Sequence, residues 1–181
     1  MIKIGETIIE EGILNNKPNR FRKTVRGIIL KEAKVYMLYS KKFNDYTFPG
    51  GGIKEDEDHK EALKRELNEE FGASNINIIK PIGYTEEIRY GINSTNNTYL
   101  QTSYYYLVEA DKFVEPNYIG REKEQGLSKK LVEINDAIKH NELVYETRDE
   151  NSWKGFKTVL LRENSVLKYI GDNYEKIRSY K

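Results

Sequence analysis

The stretch GGIKEDEDHKEALKRELNEEFGA, residues 51–73, emerges from the glycine-rich turn Phe48-Pro49-Gly50-Gly51-Gly52, and its reading decides the rest. Leu63, Leu67 and Phe71 recur at i, i+4 and i+8, the spacing of an apolar helix stripe that faces a core. Glu66, Glu69 and Glu70 stand at i, i+3 and i+4, so on a helix they project within about 100° of one another. The spacing predicts a helix over Asp58 to Phe71, with Asp56 or Asp58 as its N-cap and Gly72 at its exit. One flank packs; the neighbouring flank concentrates negative charge.

Like charges at i, i+4 destabilise an isolated helix by roughly 0.2–0.5 kcal/mol, and Glu66 with Glu70 is such a pair. Arg65, four residues before Glu69, can neutralise one carboxylate. Two remain, and clustered hard oxygens are what Mg²⁺ or Mn²⁺ prefer, with waters and a substrate phosphate completing the shell. A solvated charged face is the bland reading of the same residues.

The wider pattern separates the two. Gly51, then Glu57, then Arg65-Glu66-Leu67-Asn68-Glu69-Glu70-Phe71-Gly72 resembles the signature box of the Nudix hydrolases. Seven fixed residues at about one chance in fifteen each coincide at about one start in 10⁸, given ordinary residue usage. The box departs from the family pattern at Ala73, where a larger aliphatic residue is usual, and an altered helix exit is expected there. The resemblance implies an α/β/α sandwich around a mixed β-sheet, with a strand–loop–helix at the box. It also implies metal-dependent attack of water on a diphosphate. Carried onto this chain, Glu66 and Glu70 are the principal metal ligands, Glu69 supports them, and the backbone carbonyl of Gly50 joins them. Glu57 is the outer glutamate of the box, and Arg65 orients Glu69. The cofactor expected is Mg²⁺, with Mn²⁺ as a substitute.

The glycines at 50, 51 and 52 let backbone approach a substrate, and Arg26, just before the apolar run GIIL, is the basic residue best placed to reach a phosphate. Arg22 and Lys23 could reach one too, and a solvated strand face is the safer reading of all three. The general base of such enzymes often lies outside the box on a later loop. Glu124 is the residue chosen for it, with Glu122 beside it and Glu86 and Glu87 in reserve. Tyr104-Tyr105-Tyr106 and Trp153 are read as packing residues rather than base-stacking ones. His59 and His140 receive no role, and Asn93-Ser94-Thr95 is an acceptor pattern without consequence in a cytoplasmic protein.

The chain has 181 residues, no cysteine, and 30 Lys and Arg against 29 Asp and Glu. That excludes thiol nucleophiles and zinc–thiolate sites, and a net charge of +1 gives no footprint for long nucleic acid. No apolar run approaches the roughly eighteen residues of a membrane span, and acidic residues occupy the N-terminus where a signal peptide would be apolar. The expectation is a single cytoplasmic domain, monomeric or homodimeric, acting on a small nucleotide. Its core spans about residues 21–140, with a helical extension over about 151–178.

Along the chain, residues 1–20 hold an edge strand or a hairpin arm. Phe21–Leu30 and Val35–Ser40 read as a strand pair joined by Lys31-Glu32-Ala33-Lys34. Ile76–Tyr90 and Thr98–Glu109 are long strands, the first bulged at Pro81-Ile82-Gly83, joined by a loop over Gly91–Asn97. Asp111–Ser128 reads as loop, Leu131–Ile134 as a short strand, and Ala137–Glu142 as a helix capped by Asn135 or Asp136. The alternative function is a nucleotide-sensing module that keeps the fold without the reaction. Intact carboxylates and the lack of a basic partner domain weigh against it. An isoprenoid-diphosphate isomerase relies on a cysteine that this chain does not have.

Overall fold

The computed structural model describes residues 1–13, 17–91, 94–110, 112–114, 116, 118, 120–149 and 155–180. Trp153 and Asn93 lie outside the described residues. The strands are β1 (Ile2–Lys3), β2 (Ile8–Ile9), β3 (Arg20–Ile28), β4 (Leu30–Lys31), β5 (Lys34–Ser40), β6 (Asp45–Thr47), β7 (Ala73–Ser74), β8 (Asn77–Gly91), β9 (Ser94–Glu109), β10 (Lys112–Phe113) and β11 (Leu127–Glu133). The helices are α1 (His59–Phe71), α2 (Gly120–Gln125), α3 (Ile134–Thr147), α4 (Lys157–Asp172) and α5 (Tyr174–Arg178).

α1 starts and stops where its chemistry dictates. The Asp58 side chain accepts from the Lys60 and Glu61 backbone N–H groups at 2.7 and 2.8 Å, and Glu61 reaches back to the Asp58 N–H at 3.0 Å. This reciprocal cap is worth on the order of 1 kcal/mol. Leu63, Leu67 and Phe71 are fully buried, each contributing about 1.5–3 kcal/mol. The exit is regular: Gly72 sits in the left-handed region and donates to Asn68 and Leu67 carbonyls. The altered exit expected from Ala73 is therefore absent. Ala73 is buried in β7, paired with Phe113 of β10, whose ring lies 5.5 Å from that of Phe71.

The main sheet is mixed, with order β1-β8-β9-β3. β8 and β9 are antiparallel, β3 runs parallel to β9, and β1 and β2 run parallel to β8. A second, antiparallel sheet joins β11, β5, β4 and β6. One core lies under α1, where Leu63, Leu67 and Phe71 meet Val25, Tyr106 and Val108. The other lies under α3, α4 and α5, where Val166, Leu167 and Ile170 meet Ile28, Tyr105 and Leu107. Period-2 alternation in β9 divides Tyr105 and Leu107 from Tyr104, Tyr106 and Val108, as the sequence implies. The α/β/α sandwich follows. Among the described residues, no helix is long and apolar enough to cross a membrane.

Of the two readings left open for residues 1–20, the structure has the edge strand: Ile2–Lys3 and Ile8–Ile9 both pair with β8. Four local expectations are corrected. Phe21–Leu30 is not one strand: β3 ends at Ile28, and Leu30–Lys31 turns into the second sheet to pair with β5. Ser94 already pairs with Gly91, so β9 takes residues assigned to a loop. The polar segment before Ser128 contains α2. α3 starts at Ile134 with Glu133 as its N-cap and no side-chain cap, because β11 runs straight into a helix whose first residue is buried.

Candidate active site

The turn between β6 and α1 is threaded against β3. Val25 N–H donates to the Gly51 carbonyl at 2.9 Å, Gly27 N–H to Pro49 at 2.9 Å, and Ile53 N–H to Lys23 at 3.1 Å. Gly50 has φ +131°, and a Cβ there would collide with the Val25 carbonyl oxygen, so only glycine serves. A Cβ on Gly51 would lie 2.5 Å from Glu66 Oε2; the bare backbone is what lets that carboxylate press against the turn. Arg26 Nη1 donates to the Phe48 and Gly50 carbonyls at 2.9 and 2.5 Å.

Arg65 ties the acidic flank together. Its Nε and Nη2 hold both oxygens of Glu57 at 2.7 and 2.8 Å, Nη1 donates to Glu66 at 2.7 Å and Glu69 at 3.3 Å, and Nη2 reaches the Gly52 carbonyl at 3.0 Å. The sequence assigned Arg65 to Glu69; its short contacts are with Glu57 and Glu66. The paired guanidinium holds the Glu57 carboxyl down to about 2. Glu69 is mostly exposed, whereas Glu66 is largely covered.

Glu70 is in a different state. Burial pushes its carboxyl up to about 7, and the carboxylates of Glu66 and Glu122 add to this; Arg26 and the Gly50 N–H, 3.3 Å from Glu70 Oε2, act against it. A buried carboxyl short of cationic partners is the expected signature of a place that takes a cation. Among the described residues, no three carboxylates or imidazoles form a preformed cage for one. Mg²⁺ does not require one, since it keeps several waters and is held by one or two carboxylates plus substrate phosphate. Glu66 and Glu70 against the turn fit that partial shell. The Gly50 carbonyl already accepts from Arg26, and its second lone pair is the one left for a cation.

These groups open on one cavity of about 330 Å³, lined by Arg22, Arg26, Glu66, Glu70, Glu122 and the three glycines of the turn. Glu122, on α2, is half-buried there; Glu124 is exposed and does not line it. Of the reserve carboxylates, Glu86 is paired with Lys3 at 2.7 Å and Glu87 with Arg162 at 2.6 Å. Tyr105 packs edge-on against Phe48 at 5.6 Å, a core role.

The same cavity has a second set of lining residues that sequence reasoning missed: Arg89, Gln101, Arg162, Phe43, Phe156 and Val159. A signal existed. On the α4 side of the main sheet, register places Glu87, Gln101 and Arg22 in one row and Thr85, Ser103 and Thr24 in the next. Polar residues at alternate positions of otherwise buried strands mark a lined cavity rather than a packed core. Arg162, only 2% exposed, is held by Glu87 and Glu163 at 2.6 Å each, and Glu163 also accepts the Phe48 N–H at 2.8 Å. This buried ion network fastens α4 to the entry of the glycine turn.

Comparison with known proteins bears on this arrangement. The family model described as NUDIX domain matches residues 20–152. Over 57 residues the chain is 40% identical to an 8-oxo-dGTP diphosphatase of Buchnera aphidicola subsp. Schizaphis graminum, covering 29% of this chain and 44% of that protein. It is 46% identical over 57 residues to an RNA pyrophosphohydrolase of Pseudomonas putida, covering 30% of this chain and 35% of that protein. The matches thus span less than half the length of these relatives. A solved structure described as a NUDIX hydrolase from Nitrosomonas europaea superposes with a TM-score of 0.54 at 18% identity, over 86% of this chain and 90% of that one. That is a likeness of fold.

Proposed function

The chain belongs to the Nudix family, and from that premise we propose that it hydrolyses a diphosphate bond in a small nucleoside diphosphate derivative. The substrate is of the nucleoside triphosphate or ADP-ribose kind, and the reaction uses a divalent cation, Mg²⁺ or in its place Mn²⁺. The observation that carries the reading is Glu70: a half-buried carboxyl held at the Gly50 N–H beside Glu66 and lining the cavity, where its surroundings push it up to about 7.

Glu66 and Glu70 would hold the cation, with Glu69 at the exposed edge of the set. When bound, it supplies charge neutralisation at the diphosphate and a water of lowered pKa. The chain's own groups do the rest. The turn at Gly50–Gly52 brings backbone against the phosphates, and Arg26 fixes its shape while keeping a guanidinium beside it. Arg65, braced by Glu57, keeps Glu66 aimed at the turn. Glu122 takes the place that the sequence gave to Glu124: its carboxylate faces the cavity and can accept a proton from the attacking water.

The test is release of phosphate and nucleotide from a nucleotide panel with Mg²⁺ or Mn²⁺, alongside Glu70→Gln. Losing one ligand charge should cut turnover by about 10²–10⁴-fold. Near-full activity in Glu70→Gln would sink the site assignment. Binding of a nucleotide without any cleavage would instead make the protein a sensing module.

A further inference from the structure

The chain crosses from one sheet to the other at a single residue. Thr47 is the last residue of β6 paired with β5, opposite Leu38. The Pro49 carbonyl is already tied to β3, accepting from the Gly27 N–H at 2.9 Å. Phe48 stands between them, and side chains hold its backbone. Glu163 Oε2 accepts its N–H at 2.8 Å, and Arg26 Nη1 donates to its carbonyl at 2.9 Å. Pro49 follows and has no N–H to add.

The outer edge of β6 is treated in the same way one step earlier. Tyr46 N–H donates to Asn141 Oδ1, and Asn141 Nδ2 donates to the Tyr46 carbonyl, both at 2.9 Å. α3 and α4 thus each lend one fully buried side chain where a neighbouring strand would otherwise satisfy the backbone. The two differ in consequence. Tyr46 is also in register with Tyr39 of β5, so its place is fixed without Asn141. Phe48 lies past the last pair, and its place depends on Glu163 and Arg26.

Glu163 is a costly residue to put there, since its charge is fully buried in a helix that otherwise turns Leu160, Val166 and Leu167 inward. Arg162 Nε and Nη2 reach its Oε1 at 3.0 and 2.6 Å, although neighbours on a helix diverge by about 100°. Arg162 is shared in turn with Glu87 at 2.6 Å. Buried ion groups can often be replaced by apolar side chains without loss of stability. An apolar side chain cannot accept the Phe48 N–H.

We infer that Glu163 is a positioning residue of the glycine turn. It fixes where the chain crosses between the sheets, and so how the Gly50–Gly52 backbone stands against Glu66 and Glu70. Its effect on turnover rests on the proposed hydrolysis; its effect on the turn does not. The links are short. The Arg26 Nη1 that holds the Phe48 carbonyl also holds that of Gly50, and the Gly50 N–H lies 3.3 Å from Glu70 Oε2. A shift of Phe48 therefore reaches Gly50 through Pro49 and through one shared guanidinium. α4 begins at Lys157, beyond the matched residues 20–152, so a helix outside the matched module helps to set the turn.

The experiment compares Glu163→Met with Asn141→Leu, each of which removes one side-chain acceptor from the same strand edge. Under conditions where urea unfolding shows both variants folded, Glu163→Met should lower kcat by about 10- to 100-fold with KM within about threefold. Asn141→Leu should keep kcat within about threefold. Amide exchange reads the turn without any ligand. The Val25 and Gly27 N–H groups donate to the Gly51 and Pro49 carbonyls. In Glu163→Met their exchange should quicken by about tenfold more than that of Leu107 in the centre of β9. Turnover retained in Glu163→Met, turnover lost equally in both variants, or Val25 and Gly27 quickening no more than Leu107 overturns the inference and leaves the hydrolase standing. Faster exchange in the turn, with no hydrolysis by the wild type, upholds the positioning and sinks the hydrolase. If Glu163→Met does not fold, exchange in the wild type at low urea decides. Val25 and Gly27 opening together with the α4 amides upholds the inference, and their opening while α4 stays closed overturns it.

Discussion

Glu70→Gln should make the cation-free protein more stable at neutral pH even as it removes activity. The folded protein raises this carboxyl from its ordinary 4.5 to about 7, chiefly by burial. At 1.36 kcal/mol per pH unit, that is about 3 kcal/mol between the fully protonated and fully ionised limits, the opposing pull of Arg26 included. The sign follows from linkage: a raised folded-state value contributes stability below the unfolded value and loses it as pH climbs through the folded one. The loss therefore accrues between about pH 4.5 and 7. Glutamine is neutral throughout and keeps an oxygen for the Gly50 N–H. Urea unfolding in the presence of a chelator should show little difference near pH 4.5 and about 2–4 kcal/mol in favour of the variant near pH 7.5. For a chain of this size that is a gain of roughly 5–10 °C in Tm. Saturating Mg²⁺ should reverse the order, because ligand binding stabilises only the form that binds it. A variant no more stable than wild type near pH 7.5, or equally stabilised at both pH values, would refute the claim that Glu70 is held at a folding cost.

Three further outcomes test the surrounding structure. Gly50→Ala, with φ +131° and the Val25 carbonyl in the way, should destabilise by more than about 1–3 kcal/mol and displace the turn, seen together in urea unfolding and in lost turnover. Arg162→Ala should cost about 3–5 kcal/mol in urea unfolding, since Glu87 and Glu163 are left buried without their cation; a loss under 1 kcal/mol would mean that water replaces the guanidinium there. Glu122→Gln should lower kcat by about 10²–10⁴-fold, while Glu124→Gln leaves it in place; the opposite ranking would return the base to Glu124.

The box helix was legible because everything that makes it is local. Leu63, Leu67 and Phe71 give the period, Asp58 and Glu61 cap each other three residues apart, and Gly72 ends it. The long strands β8 and β9 were legible for the same reason, down to the bulge between Pro81 and Gly83. α2 was not, since GREKEQ has no apolar residue to mark a buried face. Nor was the change of sheet at Ile29, because backbone pairing with β9 on one side and β5 on the other leaves no mark on an apolar run. Which of Glu122 and Glu124 lines the cavity was hidden with α2: two residues apart on a loop they are equivalent, whereas on a helix they point in directions about 200° apart.

Distance along the chain explains which half of the site remained hidden. The carboxylate half is drawn from residues 50–70, so one spacing pattern contains it. The other half joins Phe43, Arg89, Gln101, Phe156 and Arg162, which meet only when β8 and β9 pair and α4 lies across them. Each of those residues has an ordinary explanation alone: a half-buried aromatic, a strand cation, a helix cation. Their convergence is what informs: the polar alternation of β8 and β9 marks a lined face, but a sequence read by local period cannot say which loop and helix residues close over it. The two halves are nevertheless mechanically one. Glu163 of α4 holds the Phe48 N–H at 2.8 Å, and Arg26 holds the Phe48 carbonyl at 2.9 Å, so the residue that opens the glycine turn is gripped from both sides. A change in α4 that alters what the cavity accepts will therefore also tug on the turn beneath Glu66 and Glu70. Selectivity and turnover should move together more often in substitutions at 162 and 163 than in substitutions at 89, whose side chain meets Gln101, Tyr90, Glu87 and the Tyr99 ring rather than the glycine turn.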